Sequence, residues 1–300
     1  MAMRLSLGLY GLQNWFGGDF AAVIDLVRTA DRMGVDQVSL TDHVVMGERL
    51  DRYPYGQFPA PLDTPWFEPI TVLAAIAGAT QRIRLSTGVL ISPLRPAVLL
   101  AKQLATLDVM SRGRVEIGIG TGWQREEYEA GGIDFAKRYR IMDEQVRLCR
   151  QLWSEAPVSF QGETVKLERI HQWPRPVQPR LPIWMGVAPT PRNCRRMAEL
   201  ADGWIPMMND SAALSAALGD IRAAFAAQGR DFAGFQCRVV LPGVFRADHT
   251  PDVSAALARI PALAAAGVTM VEVLPLMFCR GPDDLEGFLE QALDAVKGST

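Results

Sequence analysis

His43 stands at the end of Ser39-Leu40-Thr41-Asp42 and is one of only 3 histidines in the chain. An imidazole changes charge near neutral pH, so at the mouth of a site it can give or take a proton. The other two, His171 and His249, fall in polar connectors, and no H-x-H pairing exists, so no metal-ligand set is expected. Cys149, Cys194, Cys237 and Cys279 form no CxxC pair and read as buried free thiols of a reducing compartment. There is no G-x-S-x-G elbow and no G-x-x-x-x-G-K-[ST] loop. Glu126-Glu127 and Asp283-Asp284 read as charges favourable to helix N-termini.

The stretch VEIGIGTGWQREEYEAGG (115–132) poses a sharper question. Gly118, Gly120 and Gly122 give the spacing G-x-G-x-G, whereas a dinucleotide fingerprint is G-x-G-x-x-G; Trp123 holds the third glycine's place. The acidic residues at the fingerprint's distance, Asp143 and Glu144, sit in a helical pattern rather than after a strand. A nicotinamide site is therefore disfavoured. Two readings stay open: a tight turn without ligand, or a strand end whose small residues let a flat cofactor approach the backbone, with Thr121 offering a hydroxyl and Gly122 an N–H. Two similar strand ends occur. Thr87-Gly88-Val89 closes one apolar run. Met185-Gly186-Val187-Ala188 leads into a helical segment whose first N–H groups, with Arg192, suit a phosphate. Arg195 and Arg196 read as a solvated helix face. Trp66, Trp123, Trp184, Trp204, Met185, Met207 and Met208 are suited either to core or to an apolar pocket wall.

These residues must be positioned by regular elements. Strand patterns occur at 4–10, 35–42, 82–91, 114–120, 182–186, 203–207, 235–245 and 268–275. Helical patterns follow at 19–34, 96–111, 138–153, 192–201, 210–229, 252–267 (kinked at Pro261) and 283–297. Alternation of this kind implies a parallel sheet, and eight units in 300 residues predict an α/β fold, a (β/α)8 TIM barrel spanning 1–300 as one domain. Long connections at 44–68 and 153–182 are expected as insertion loops, the first at the carboxyl-terminal face, with 171–182 an extended connector.

Composition excludes several partners. The chain is 49% hydrophobic with formal charge −2, which gives no electrostatic reason to bind nucleic acid or an anionic membrane. No apolar stretch approaches the ~18 residues of a membrane span and the N-terminus lacks a signal-peptide pattern, so a soluble, cytoplasmic protein acting on a small molecule is expected.

VSLTDHVV, YPYGQFPAPLDTPWFEPITVLAAIAGAT, the block RIRLSTGVLISPLRPAVLLAKQLATLDVMSRGRVEIGIGTGWQREEYEAGG and PIWMGVAPTPRNCRRMAELADGWIP, taken together, resemble the bacterial luciferase-like superfamily. Within it they are similar to oxidoreductases that use the deazaflavin coenzyme F420. The resemblance implies a TIM barrel holding an isoalloxazine-type ring at its carboxyl face. It implies that Asp42 and His43 border the ring and the substrate, with His43 the catalytic proton donor or electrostatic partner. Gly88-Val89 would form a non-proline cis peptide behind the ring. Thr121, Gly122 and Trp123 would contact the ring or its side chain, and Gly186, Val187 and Ala188 the cofactor phosphate. Arg49, Arg52 and Arg192 are candidates for a basic groove along the anionic tail. The chain departs from the pattern at two places. Trp123 replaces an acid/base Glu present in several relatives, and Gly186-Val187 replaces a Gly-Gly. The implied activity is hydride transfer between F420 and a small organic substrate, in a protein expected to be a homodimer. The alternatives are a monooxygenase using reduced FMN and oxygen, and a non-catalytic flavin-binding protein.

Overall fold

The computed structural model describes residues 2–299. Its strands are β1 (Arg4–Gly8), β2 (Gln37–Leu40), β3 (Arg84–Thr87), β4 (Leu90–Ile91), β5 (Ile117–Gly120), β6 (Val158–Gln161), β7 (Lys166–Ile170), β8 (Ile183–Gly186), β9 (Gly203–Trp204), β10 (Gln236–Val240) and β11 (Met270–Val273). The sheet runs β3-β2-β1-β11-β10-β9-β8-β5-β4, with every pairing parallel. The two ends of that order, β3 and β4, are halves of one run, separated by the cis peptide Gly88–Val89. A parallel bridge from Leu85 to Val115 joins β3 to the segment entering β5. The sheet thus returns on itself as the eight-membered TIM barrel anticipated from the βα alternation.

The helices are α1 (Phe20–Met33), α2 (Pro69–Ala79), α3 (Ala97–Met110), α4 (Arg125–Ala130), α5 (Arg138–Ser154), α6 (Pro191–Leu200), α7 (Ser211–Ala227), α8 (Val253–Leu257), α9 (Ile260–Ala265) and α10 (Leu285–Lys297). Local chemistry explains their ends. Asp19 accepts from Ala21 N at the start of α1, and Gly34 closes that helix with φ 93°. The pattern at 252–267 resolves into α8 and α9 rather than one kinked helix, because Pro261 falls in the first turn of α9, where its missing N–H costs no helix bond. Residues 153–182 are not merely a connector: β6 and β7 form an antiparallel hairpin there. All four cysteines are free and buried, and burial pushes the Cys149 and Cys237 thiols up to about 12.

The barrel interior is not uniformly apolar. Arg238 on β10 is fully buried at its centre. Its guanidinium donates to Gln37 Oε1 at 2.5 Å, Ser86 Oγ at 2.9 Å and the Thr87 carbonyl at 2.8 Å. Glu272 on β11 supplies the counter-charge, with Oε2 2.9 Å from Arg238 Nε and Oε1 accepting from Ser39 Oγ at 2.5 Å. Below it, Gln37 and Arg4 donate to Glu116 Oε2 at 2.6 and 2.8 Å, and Arg84 Nε lies 2.6 Å from Glu116 Oε1. An apolar layer of Trp184, Ile205 and Met270, with Val89 against it, lies in the same barrel.

Burial works against the Arg238 charge, whose pKa is held below the usual arginine value. Removing the cation leaves the Glu272 carboxylate buried and unpaired, a loss of about 3–5 kcal/mol. Arg238→Met is therefore expected to lower the free energy of urea unfolding by that amount; a loss below about 1 kcal/mol would show that the network does not hold the barrel together.

Candidate active site

The site is built where the strands end. β2 ends at Leu40, and the chain turns through Thr41, Asp42 and His43 into the long 44–68 segment. The His43 imidazole is nearly buried, and its Nδ1 lies 3.0 Å from Glu127 Oε2. The other oxygen of Glu127 accepts from Val44 N at 2.9 Å. Glu127 sits in the first turn of α4 with a fully buried side chain. It stands at the helix N-terminus as the sequence reads, but its carboxylate also turns inward and holds the histidine. A carboxylate only accepts hydrogen bonds, so Nδ1 carries the proton and the neutral ring keeps its Nε2 lone pair for whatever faces it.

Aromatic rings surround this histidine. The Trp66, Phe58 and Trp123 rings lie 4.7, 5.7 and 6.3 Å from it, centroid to centroid. Tyr53 joins Phe58 and Trp123 at 5.2 and 5.3 Å. The segment bearing Tyr53, Phe58 and Trp66 is fastened to the start of α4, after β5. Gly47 N donates to Gln124 Oε1 at 2.7 Å, Gln124 Nε2 donates to the Gly47 carbonyl at 3.0 Å, and Arg52 pairs with Glu126 at 3.2 Å. Among the tryptophans suited to either role, Trp66 and Trp123 are at the site, while Trp184 and Trp204 are core.

Asp42, one residue before His43, is held from the far side of the β3–β4 break. Both its oxygens are engaged by Arg95, at 2.7 and 3.0 Å, and one also accepts from Ile91 N at 2.8 Å. Although burial opposes the Arg95 charge, the Asp42 and Glu68 carboxylates raise its pKa. Asp42 thus ties the end of β2 to β4, one residue from His43.

The alternating glycines answer to packing. A Cβ on Gly118 would collide with the Thr87 carbonyl, and one on Gly120 would stand 2.6 Å from Val89 Cγ2. A Cβ on Gly186 would stand 2.6 Å from Val89 Cγ1. β5 and β8 therefore make room for the bulge at Gly88–Val89, and Val89 forms a half-exposed apolar floor between them. Gly122 has φ 59° and turns the chain out of β5. Thr121 is buried, with its carbonyl accepting from Tyr128 Oη at 2.5 Å. The cis peptide that the resemblance implied is present at Gly88–Val89.

At the end of β8, Gly186, Val187 and Ala188 lead to α6, whose N-cap Thr190 accepts from Asn193 N. The Val187 carbonyl accepts from Trp204 Nε1 at 2.9 Å and that of Ala188 from Asn193 Nδ2 at 2.8 Å, which fixes the turn. Arg192 is exposed in the first turn of α6. Arg196, by contrast, is buried and pairs with Asp143 at 2.6 Å, so it is not part of a solvated face. Arg49 pairs with Asp51 at 2.7 Å, and Arg52 with Glu126, leaving Arg192 as the member of the proposed basic set without a carboxylate partner among the described residues. No group of three metal-ligating side chains occurs among the described residues.

The Glu127–His43 contact makes a direct prediction. Nitrogen-15 NMR of labelled histidine should find neutral His43 protonated at Nδ1. In Glu127→Gln the side-chain amide can donate to that nitrogen instead, and the signal should move to the Nε2-protonated tautomer. An unchanged tautomer in the variant would remove Glu127 from the role assigned to it.

Comparison with known proteins places this geometry. The family model described as luciferase-like monooxygenase matches residues 6–292. An uncharacterised protein of Mycobacterium tuberculosis is 35% identical over 224 residues, 75% of this chain and 74% of its own. The F420-dependent glucose-6-phosphate dehydrogenase of Nakamurella multipartita is 34% identical over 60% of this chain and 50% of its own, and the pyrimidine monooxygenase of Allorhizobium ampelinum 31% over 62% and 51%. The crystal structure of a monooxygenase from Streptomyces bottropensis shares the fold with a TM-score of 0.75 and 21% identity, covering 98% of both chains. No helix among the described residues is long and apolar enough to cross a membrane. The barrel, its broken third strand and the histidine at its mouth are thus those of a chain that belongs to the luciferase-like monooxygenase family, whose relatives are F420-dependent and flavin-dependent oxidoreductases and monooxygenases.

Proposed function

We propose that this protein is an F420-dependent oxidoreductase that transfers a hydride between the deazaflavin and a small organic substrate. The observation that carries the reading is the His43 imidazole after β2, held by the buried Glu127 carboxylate, in a barrel whose broken third strand presents Val89 as an apolar floor. The relative from Nakamurella multipartita supports the choice of cofactor.

The residues present fit such a group. Val89 offers a flat ring an apolar surface flanked by Gly120 and Gly186, which carry no side chains to obstruct it. Gly186 to Ala188, the first turn of α6 and the exposed Arg192 suit a phosphate. When bound, the deazaflavin supplies two-electron hydride chemistry. The protein does the rest. Val89, and Trp123 with the rings packed on it, exclude water. Glu127 holds His43 in the tautomer whose Nε2 accepts a proton from an alcohol, and returns one when protonated and the substrate is reduced. Asp42 and Arg95 fix the turn that carries it.

A second reading, a monooxygenase using reduced FMN and oxygen, is favoured by the relative from Allorhizobium ampelinum and places the same residues around the same ring. Fluorescence titration of the purified protein with F420 and with FMN separates the two. Saturable binding of F420 with weak or absent FMN binding is the expected result; preference for FMN would transfer the site to oxygen chemistry. His43→Ala should keep its affinity for cofactor and lose about 10²–10⁴ in kcat, the usual worth of a positioned proton donor or acceptor. Normal turnover in that variant would refute the role of His43.

A further inference from the structure

The walls of the site around His43 carry information about what enters it. Tyr53, Phe58, Trp66 and Trp123 present four rings, none of them fully buried, on one side of the mouth. Across the barrel, the loops after β9, β10 and β11 expose Met207, Phe245 and Leu276, at 61%, 55% and 40%. Exposed apolar side chains at a mouth are retained where a ligand covers them.

Charge around the rings runs against an anion. The 44–68 segment contains two cationic residues, Arg49 and Arg52, and both are paired with carboxylates. The same segment carries Glu48, Asp51, Asp63 and Glu68. The Arg95 guanidinium is held by Asp42 and Glu68.

One neutral donor is left over. The Trp66 indole N–H is buried and has no hydrogen-bond partner. Trp66 also lines a cavity of ≈ 30 Å³ between the ends of β1 and β2, whose polar walls are Tyr10, Gln13, Thr41 and Thr64, and which no charged residue lines. That space accepts a group the size of one oxygen with its hydrogen-bond partners. A buried N–H without a partner is costly, and an incoming oxygen acceptor removes that cost.

We propose that the substrate is an uncharged, flat, largely apolar compound bearing a carbonyl or hydroxyl oxygen, bound among the rings around His43 with that oxygen at Trp66. The assignment deepens the oxidoreductase reading and rests on it for the reaction, but its binding chemistry is testable alone. It also gives Trp123 a role: an indole there extends the apolar wall.

The experiment is calorimetric titration of the full chain, with and without saturating cofactor, against three probes of one shape: 2-naphthol, naphthalene and naphthalene-2-sulfonate. The expected result is that 2-naphthol binds at least about tenfold more tightly than the sulfonate in both states. Trp66→Phe, which keeps a ring and removes the N–H, should weaken 2-naphthol about fivefold and leave naphthalene unchanged. Phe58→Leu should weaken both neutral probes. Equal or tighter binding of the sulfonate, no binding of 2-naphthol, equal losses for 2-naphthol and naphthalene in Trp66→Phe, or displacement of 2-naphthol by the cofactor would each overturn the proposal. Failure of the cofactor to bind while the neutral preference persists would sink the oxidoreductase reading and leave the pocket chemistry standing.

Discussion

The structure depends on one buried cation. A barrel of eight short strands has a narrow interior, and filling it with branched apolar side chains is the common solution. Here Arg238 lies at its centre and reaches strands on the far side, bonding Gln37 on β2 and Ser86 and Thr87 on β3 while facing Glu272 on β11. Such a group is costly to bury, and it is tolerated because its terminal nitrogens are hydrogen-bonded and its counter-charge is at hand. Directional bonds, unlike apolar contacts, permit one register. The network therefore fixes where β3 ends, and its last bond is to the carbonyl immediately before the Gly88–Val89 bulge.

From that bulge the mouth follows. Val89 projects between β5 and β8, so residues facing it on both strands must lack a Cβ. The glycines at 120 and 186 are consequences of this approach, and Gly118 of the Thr87 carbonyl and Ile205 side chain packed against it. What they leave is an apolar floor with open sides. The strand that resumes at Leu90 is tied through Ile91 N to Asp42, so floor and histidine are set by one rigid corner. Glu127 then completes the site from α4, reaching both the ring and the backbone that follows it.

Much of this was legible in the sequence, and the reasons are physical. Alternating βα periodicity records burial, and it gave the barrel and most of its helices. His43 was found because a histidine after a strand-like run stands at the carboxyl end, where such folds keep their chemistry. Other features are not written locally. Glu126-Glu127 reads as a helix-terminal pair, and only three-dimensional packing decides that one carboxylate faces solvent-side Arg52 while the next turns to His43. Asp42 looks like a site acid, yet its partner Arg95 lies 53 residues away. Arg238 falls in the strand pattern at 235–245, and nothing nearby in the sequence announces its partner Glu272. The hairpin of β6 and β7 was hidden by a polar composition typical of solvent-facing strands, as its mostly exposed residues show. Pairs of long sequence separation carry the site, and single-sequence periodicity does not see them.

The arrangement divides the mouth into two parts with different freedom to change. The floor, with Val89 and the glycines beside it, is locked to the barrel centre through Thr87, and a substitution there disturbs the fold itself. The 44–68 segment is held differently, by a few bonds from Gly47, Val44 and Arg52 to one face of α4. Its rings can be exchanged without altering a strand. Trp123, which follows β5, packs against Tyr53 and Phe58 of that segment and so stands where the two parts meet. Floor and rings are thus held by separate sets of bonds, and one can vary while the other is retained.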